Sequence, residues 1–267
     1  MIAVTLEEQI ATLEGGTHTL LLPSGLAAIA LVDLALLASG DELLIPDNAY
    51  GPGKELARNE LARWGIAHRF YDAMDPDALA RMIGPQTKLI WLEAPGSVTM
   101  EFPDLAALVS VARERGVTTA LDNTWGAGIA FDPFDLPGGL GVDISMQALT
   151  KYPSGGADVL MGSVTTRDEA LHLKLKFAHM RLGWGVGGND LEAVLQNEPG
   201  LELGKVAAAG VRNPQAPTDD LVLFVLHRGG IADFLPIATR AVHLVNEHAG
   251  VEVARVVPVS RIPKTTS

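Results

Sequence analysis

Cysteine is absent from this 267-residue chain, and its absence removes a disulfide framework, a thiolate zinc site and a sulfur nucleophile together. A chain without disulfides is compatible with a reducing compartment, and a cytoplasmic location is the expectation. Basic side chains are scarce. There are 20 lysines and arginines against 32 acids, a formal net charge of -12. Partners with a phosphate backbone select a basic surface, so neither nucleic acid nor an anionic membrane is expected as a partner. A basic lead-in is missing as well: MIAVTLEEQIATLEGG places acids every few residues, which predicts an amphipathic helix and not an export signal. The longest apolar run, Leu26 to Ala38, carries Asp33 and is too short to span a bilayer. Histidines occur on predicted helices, His172 with His179 and His243 with His248, but no carboxylate or cysteine completes a ligand set, so no metal site is expected. Lys174, Lys176 and Arg181 read as a charged helix face.

What is present is a core. Hydrophobic residues make up 48% of the sequence, enough for one large domain or two smaller ones. Leu6, Ile10 and Leu13 recur at helical spacing before the stop Gly15-Gly16. HTLLLP then predicts a strand, Ser24-Gly25 a turn, and Leu26 to about Ala38 a helix. Strands follow at 41–47, 67–73, 87–95 and 117–125, with helices within 51–65, at 75–83 and at 105–116. Further strands are expected in VDISMQAL and after Gly155-Gly156. Such alternation predicts an α/β fold with a mostly parallel sheet covered on both faces, and ligands in such sheets sit beyond the C-terminal strand ends.

Several residues fall at those ends. Ser24, Gly25 and Leu26 open a helix whose free N–H groups and dipole suit a phosphate, although Ser-Gly there is commonly only an N-cap. Asp122 ends a buried strand, where a carboxylate needs a cationic or hydrogen-bonding partner. Tyr50, in DNAYGPG, offers a ring to stack on a planar group or an acidic hydroxyl, or serves as packing. Thr150 brings a hydroxyl beside Lys151. Lys151 itself stands between an apolar run and a glycine-rich turn, either as a solvated loop charge or as a desolvated amine that forms a Schiff base with a carbonyl. Taken together they describe a ligand with a phosphate, an aromatic face, a protonated ring nitrogen and an aldehyde. Pyridoxal 5′-phosphate has all of these.

The stretches LEAPGSVTMEFPDL (92–105), ALDNTWGAGIAFDPFDLPGGLGVD (120–143), QALTKYPSGGADVLMGSV (147–164) and LGWGVGGNDLEAVLQ (182–196) carry a resemblance. In collinear order they resemble the Cys/Met-metabolism pyridoxal-phosphate family, and its cystathionine beta-lyase branch more than the gamma-synthases. The resemblance implies a fold-type I, aminotransferase-like large domain over residues 1–196. It implies β-elimination of an amino-acid thioether such as cystathionine to homocysteine, pyruvate and ammonia. Lys151 would attach the cofactor and move the α proton, with Tyr50 as a second catalytic residue stacked on the ring. Asp122 would hold the ring nitrogen protonated, and Ser24, Gly25, Leu26 and Thr150 would bind phosphate. Ala148 departs from the pattern, since many members carry a phosphate-binding serine there. A homo-oligomer is implied too, because family sites are completed between subunits.

The family's N-terminal arm with its Tyr-x-Arg clamp and its C-terminal domain with a carboxylate-binding arginine have no counterpart in this reading, so a chain truncated at both ends is the expectation, with Arg181 or Arg212 as substitutes that nothing requires. Residues 197–267 change character. Strands are expected at 204–214 and 221–228, a helix from Ile231 to His248, and then VEVARVVPVSRIP. AAAGVRNP and VVPVSRIPKTTS resemble the small α+β C-terminal domain of adenylate-forming ligases, in which PKTTS is followed by a Gly-Lys that this sequence does not contain at its end. Lys264 is read as a terminal charge and not as that lysine. The alternatives to a lyase are a remnant that keeps the cofactor fold without turnover and, more distantly, part of an acyl-adenylating enzyme.

Overall fold

Strand β1 (His18–Leu22) and helix α2 (Gly25–Leu36) set the frame that the rest of the large unit repeats. The computed structural model describes residues 2–154, 159–186, 206–211, 220–226, 230–235, 238–239 and 253–259. They pack as two compact units, one of residues 7–190 and one of residues 1–6 with 191–267.

Around that frame the chain runs α1 (Ile2–Glu14), β1, α2, β2 (Glu42–Pro46), α3 (Gly51–Leu56) with a π-helical turn at Ala57–Leu61, and β3 (Ala67–Tyr71). Then come α4 (Pro76–Met82), β4 (Thr87–Glu93), α5 (Leu105–Glu114), β5 (Thr118–Asp122), β6 (Ile144–Gln147), β7 (Gly162–Thr166) and α6 (Glu169–Leu182). The seven strands order as β1-β7-β6-β5-β4-β2-β3. β7 alone runs against its neighbours, antiparallel to both β1 and β6. The reason is the connection: residues 148–161 hold no crossover helix among those described, and a strand reached without a crossover pairs antiparallel. The mostly parallel α/β sheet expected from the sequence is therefore found, with one strand reversed.

Alternation along the strands divides the core. Leu43, Leu89, Trp91, Ile144 and Met146 face one side, where Ile29, Leu31 and Val32 of α2 and Leu175 and Ala178 of α6 cover them. Their neighbours Leu44, Ile90, Leu92 and Leu121 face the other, under Leu79 of α4 and Leu105, Leu108 and Ala112 of α5. Leu43 is fully buried on a central strand. Leu43→Ala is expected to cost about 2–5 kcal/mol, read as a lower urea midpoint with an unchanged slope.

Caps fix the helix starts. Ser24, Asp75, Asp104 and Asp168 each accept a backbone N–H three residues on, and Asp75 does so just ahead of Pro76, as the sequence predicts. In the second unit, β8 (Val206–Val211) pairs antiparallel with β9 (Asp220–Leu226), which pairs parallel with β10 (Val253–Val259). Residues 231–235 and 238–239 are helical. The rest of the helix expected to His248, with His243, Arg212 and Lys264, lies outside the described residues. Among those residues no helix is long and apolar enough to cross a membrane.

Candidate cofactor site

Because β1, β2, β4, β5 and β6 run parallel, the residues that follow them gather at one edge of the sheet. There a cavity of about 230 Å³ is lined by Ser24, Gly25 and Leu26 after β1, Tyr50 after β2, Asp122 at the end of β5, and Thr150 and Lys151 after β6. Every site residue singled out from the sequence thus faces one space.

The lysine is held by its own turn. Its N–H donates to the Ala148 carbonyl at 3.1 Å, and its carbonyl accepts from Ser154 Oγ at 2.9 Å. From there Nζ reaches 5.3 Å from the centre of the Trp125 ring and 5.8 Å from that of Tyr50. Lys151 is exposed as a residue, and its amine faces the Trp125 and Tyr50 rings in the cavity.

Asp122 is buried. Burial pushes its carboxyl up, while hydrogen bonds from Thr124 and the charge of Lys151 pull the other way. Thr124 N–H donates to Asp122 Oδ1 at 3.0 Å, and Thr124 Oγ1 accepts from Ala148 N–H at 2.9 Å. Beside Asp122 stands a carboxylate that the sequence reading passed over. Glu93 ends β4 in direct register with Asp122, and its Oε2 accepts the Tyr50 N–H at 2.8 Å. Burial, and next the neighbouring Asp122, push Glu93 up to about 8. Like Asp122, Glu93 closes an apolar strand, so the same signal marks it in the sequence. Trp125, Thr124 and Ser97 also line the cavity.

At the opposite wall, Ser24 Oγ caps α2 by accepting from Ala27 N–H at 3.0 Å. The first N–H groups of Gly25 and Leu26 have no partner within the helix. Thr150 differs from its sequence reading. Its hydroxyl donates to the Met161 carbonyl at 3.1 Å and accepts the Met161 N–H at 3.0 Å, so it is committed to closing the base of the 148–161 loop.

Residues 2–201 match the model of the Cys/Met metabolism PLP-dependent enzyme family. The chain belongs to this family. A cystathionine beta-lyase from Bordetella avium is 43% identical over 69% of this chain and 45% of its own length. A cystathionine gamma-lyase from Mus musculus is 35% identical over 67% of this chain and 44% of its own. A crystal structure of metB from Corynebacterium glutamicum superposes with a TM-score of 0.70 at 26% identity, over 73% of this chain and 50% of that one. The chain spans about half the length of the curated relatives it matches.

The family depends on pyridoxal phosphate, and the cavity fits that group on its own evidence. A helix N-terminus with free N–H groups suits an anion, and a buried carboxyl pair without a full countercharge suits a cationic N–H. The exposed amine suits a carbonyl. The fit is tight at one point. A Cβ on Gly162, the first residue of β7, would lie 2.3 Å from the Ser24 carbonyl oxygen and 2.9 Å from Gly25 N. Gly162→Ala is expected to cost about 1–3 kcal/mol by urea unfolding, and to weaken pyridoxal phosphate binding because the atoms displaced are the first turn of α2.

The histidines have structural partners. His172 stacks on His18 with ring centres 4.7 Å apart, and a His179 ring nitrogen lies 3.0 Å from the Leu21 carbonyl oxygen. Lys174, Lys176 and Arg181 are exposed on α6, and Arg181 does not line the cavity.

Proposed function

We propose that the chain holds pyridoxal 5′-phosphate in the Lys151 cavity and serves as a carbon–sulfur lyase of the cystathionine beta-lyase kind. Cystathionine or a similar β-thio amino acid would be cleaved to a thiol, pyruvate and ammonia. The observation that carries the reading is the convergence of an amine, a buried carboxyl and a helix N-terminus on one cavity between two aromatic rings. The larger identity to a beta-lyase than to a gamma-lyase supports the branch.

In this proposal the N–H groups of Gly25 and Leu26, with the Ser24 hydroxyl, hold the phosphate. Thr150 joins them by exchanging its bond to Met161. Tyr50 and Trp125 confine the ring, and Asp122 holds the proton-bearing ring nitrogen, whose positive charge offsets the cost of burying that carboxylate. Glu93 fixes the backbone of Tyr50. When bound, the cofactor supplies an aldehyde for an amine and an electron-withdrawing pyridinium ring. Lys151 Nζ is the amine that would hold that aldehyde and, when free, the base that would move the substrate's α proton. Assembly with further copies of the chain is part of the proposal, as in the family resemblance.

A second reading, a protein that keeps the cofactor without turning substrate over, has one observation in its favour. No arginine lines the cavity among the described residues, and a bidentate guanidinium is the strongest grip on a substrate carboxylate. Pyridoxal phosphate and cystathionine added to the purified chain separate the two. Release of pyruvate in step with a free thiol is the outcome expected of the lyase. A cofactor-bound protein that releases neither favours the second reading.

A further inference from the structure

Glu14, the last residue of α1, is only 1% exposed and has no cationic partner among the described residues; neutral donors surround its carboxyl instead. It accepts from Asn123 Nδ2 at 3.1 Å, and from Ser145 Oγ and Gln147 Nε2. All of these donors are fully buried. An ionised carboxylate is an acceptor only, and this one meets donors on both oxygens.

The register makes these donors significant. Ser145 and Gln147 alternate along β6 with Met146 and Ala148, and the latter two line the cofactor cavity. Asn123 stands between Asp122 and Thr124, which line it too. Asn123 N–H also donates to the Met146 carbonyl at 2.8 Å, and Ala148 N–H to Thr124 Oγ1 at 2.9 Å, so the ends of β5 and β6 are sewn to each other beside the cavity. Glu14 grips both ends from behind. Its own position is fixed by the turn that follows, where Arg167 Nε donates to the Gly15 carbonyl at 2.6 Å.

We propose that Glu14 is a positioning residue for the cofactor cavity: by accepting from Asn123, Ser145 and Gln147 it fixes the strand ends that present Asp122, Thr124 and Ala148 to the ligand. The proposal rests on the pyridoxal phosphate reading of that cavity. It touches neither ligand nor substrate itself.

The test is a pyridoxal phosphate titration of the full chain, read by absorbance, beside urea unfolding of each variant. Glu14→Leu removes the acceptor and leaves three buried donors unpaired. It is expected to weaken binding by about tenfold and to shift the absorption maximum of the bound cofactor, the size of effect one charge-assisted hydrogen bond supplies. Glu14→Gln keeps one carbonyl oxygen for Asn123 and Gln147 and turns its amide NH2 to Ser145 Oγ, which can accept, and is expected to restore affinity to within about threefold and to return the maximum to its wild-type position. If Glu14→Leu does not fold, Glu14→Asp, which withdraws the charge by one methylene, carries the same expectation. Wild-type affinity and maximum in a Glu14→Leu or Glu14→Asp protein that unfolds at lower urea would overturn the proposal and leave Glu14 a purely structural residue. Failure of the wild-type chain to bind pyridoxal phosphate at all would instead remove the cofactor reading on which it rests.

Discussion

Lys151→Ala is expected to abolish the absorbance change that wild-type protein gives with pyridoxal phosphate, and to lower pyruvate release by at least about 10²-fold, the lower end of what a positioned acid–base group contributes. In the proposed reading the amine is the nucleophile, and its Nζ lies 5.8 Å from the centre of the Tyr50 ring and 5.3 Å from that of Trp125. Lys151 is exposed, and its turn is held by backbone and Ser154 bonds. Removal of its side chain therefore leaves the fold intact, and the urea midpoint is expected to stay within about 0.5 kcal/mol of wild type. Residual phosphate-directed binding survives, because Ser24, Gly25 and Leu26 do not depend on the lysine. An unchanged absorbance change in the variant would place the attachment at another amine.

The second large effect is on stability against pH. Asp33 lies on α2 among apolar side chains, and burial pushes it up to about 7, with the Trp91 Nε1 hydrogen bond at 2.8 Å as the opposing influence. Glu7 and Glu14 are each pushed up to about 7 and Glu93 to about 8, burial being the first cause in every case. Raised carboxyl values mean that the folded chain binds more protons than the unfolded chain from about pH 4 to pH 8. The sign follows: these groups favour the fold fully below the unfolded values, and that contribution is lost as pH rises through 7 to 8. Unfolding free energy is expected to fall between pH 5.5 and 8.5, and Asp33 alone accounts for roughly 2 kcal/mol of that fall. Asp33→Asn keeps an oxygen for Trp91 Nε1 and cannot ionise. Its stability curve is expected to be flatter, below wild type at pH 5.5 and above it at pH 9. Urea curves that run parallel for the two proteins would contradict the assignment.

The same residues mark where the sequence was readable. Strand and helix order followed from apolar runs broken by Gly and capped by Asp or Ser, since those signals are local. Asp75-Pro76 and Gly15-Gly16 did what their chemistry dictates. Cofactor-edge residues could be gathered because parallel strands all deliver their C-terminal ends to one side. What was not readable depends on partners far along the chain. The reversal of β7 rests on a missing crossover. Asp33 read as an interruption in an apolar run, but its reason is Trp91, 58 residues away. Glu14 read as one acid of an amphipathic helix, and it meets Ser145 and Gln147 across the sheet. Thr150 read as a free hydroxyl, and its use by Met161 appears only when the loop closes. Glu93 was readable by the rule applied to Asp122 and needed only the same attention to a carboxylate at a strand end.

In the proposed function Lys151 is the amine that takes the cofactor's aldehyde. Borohydride reduction of the full chain with pyridoxal phosphate, followed by proteolysis and mass mapping, tests it most directly. One dominant pyridoxyl-phosphate mass addition is expected, on Lys151, lost when Lys151 is replaced by Ala. The same addition spread over exposed amines such as Lys174 and Lys176, or centred on any lysine outside the cavity, would contradict it.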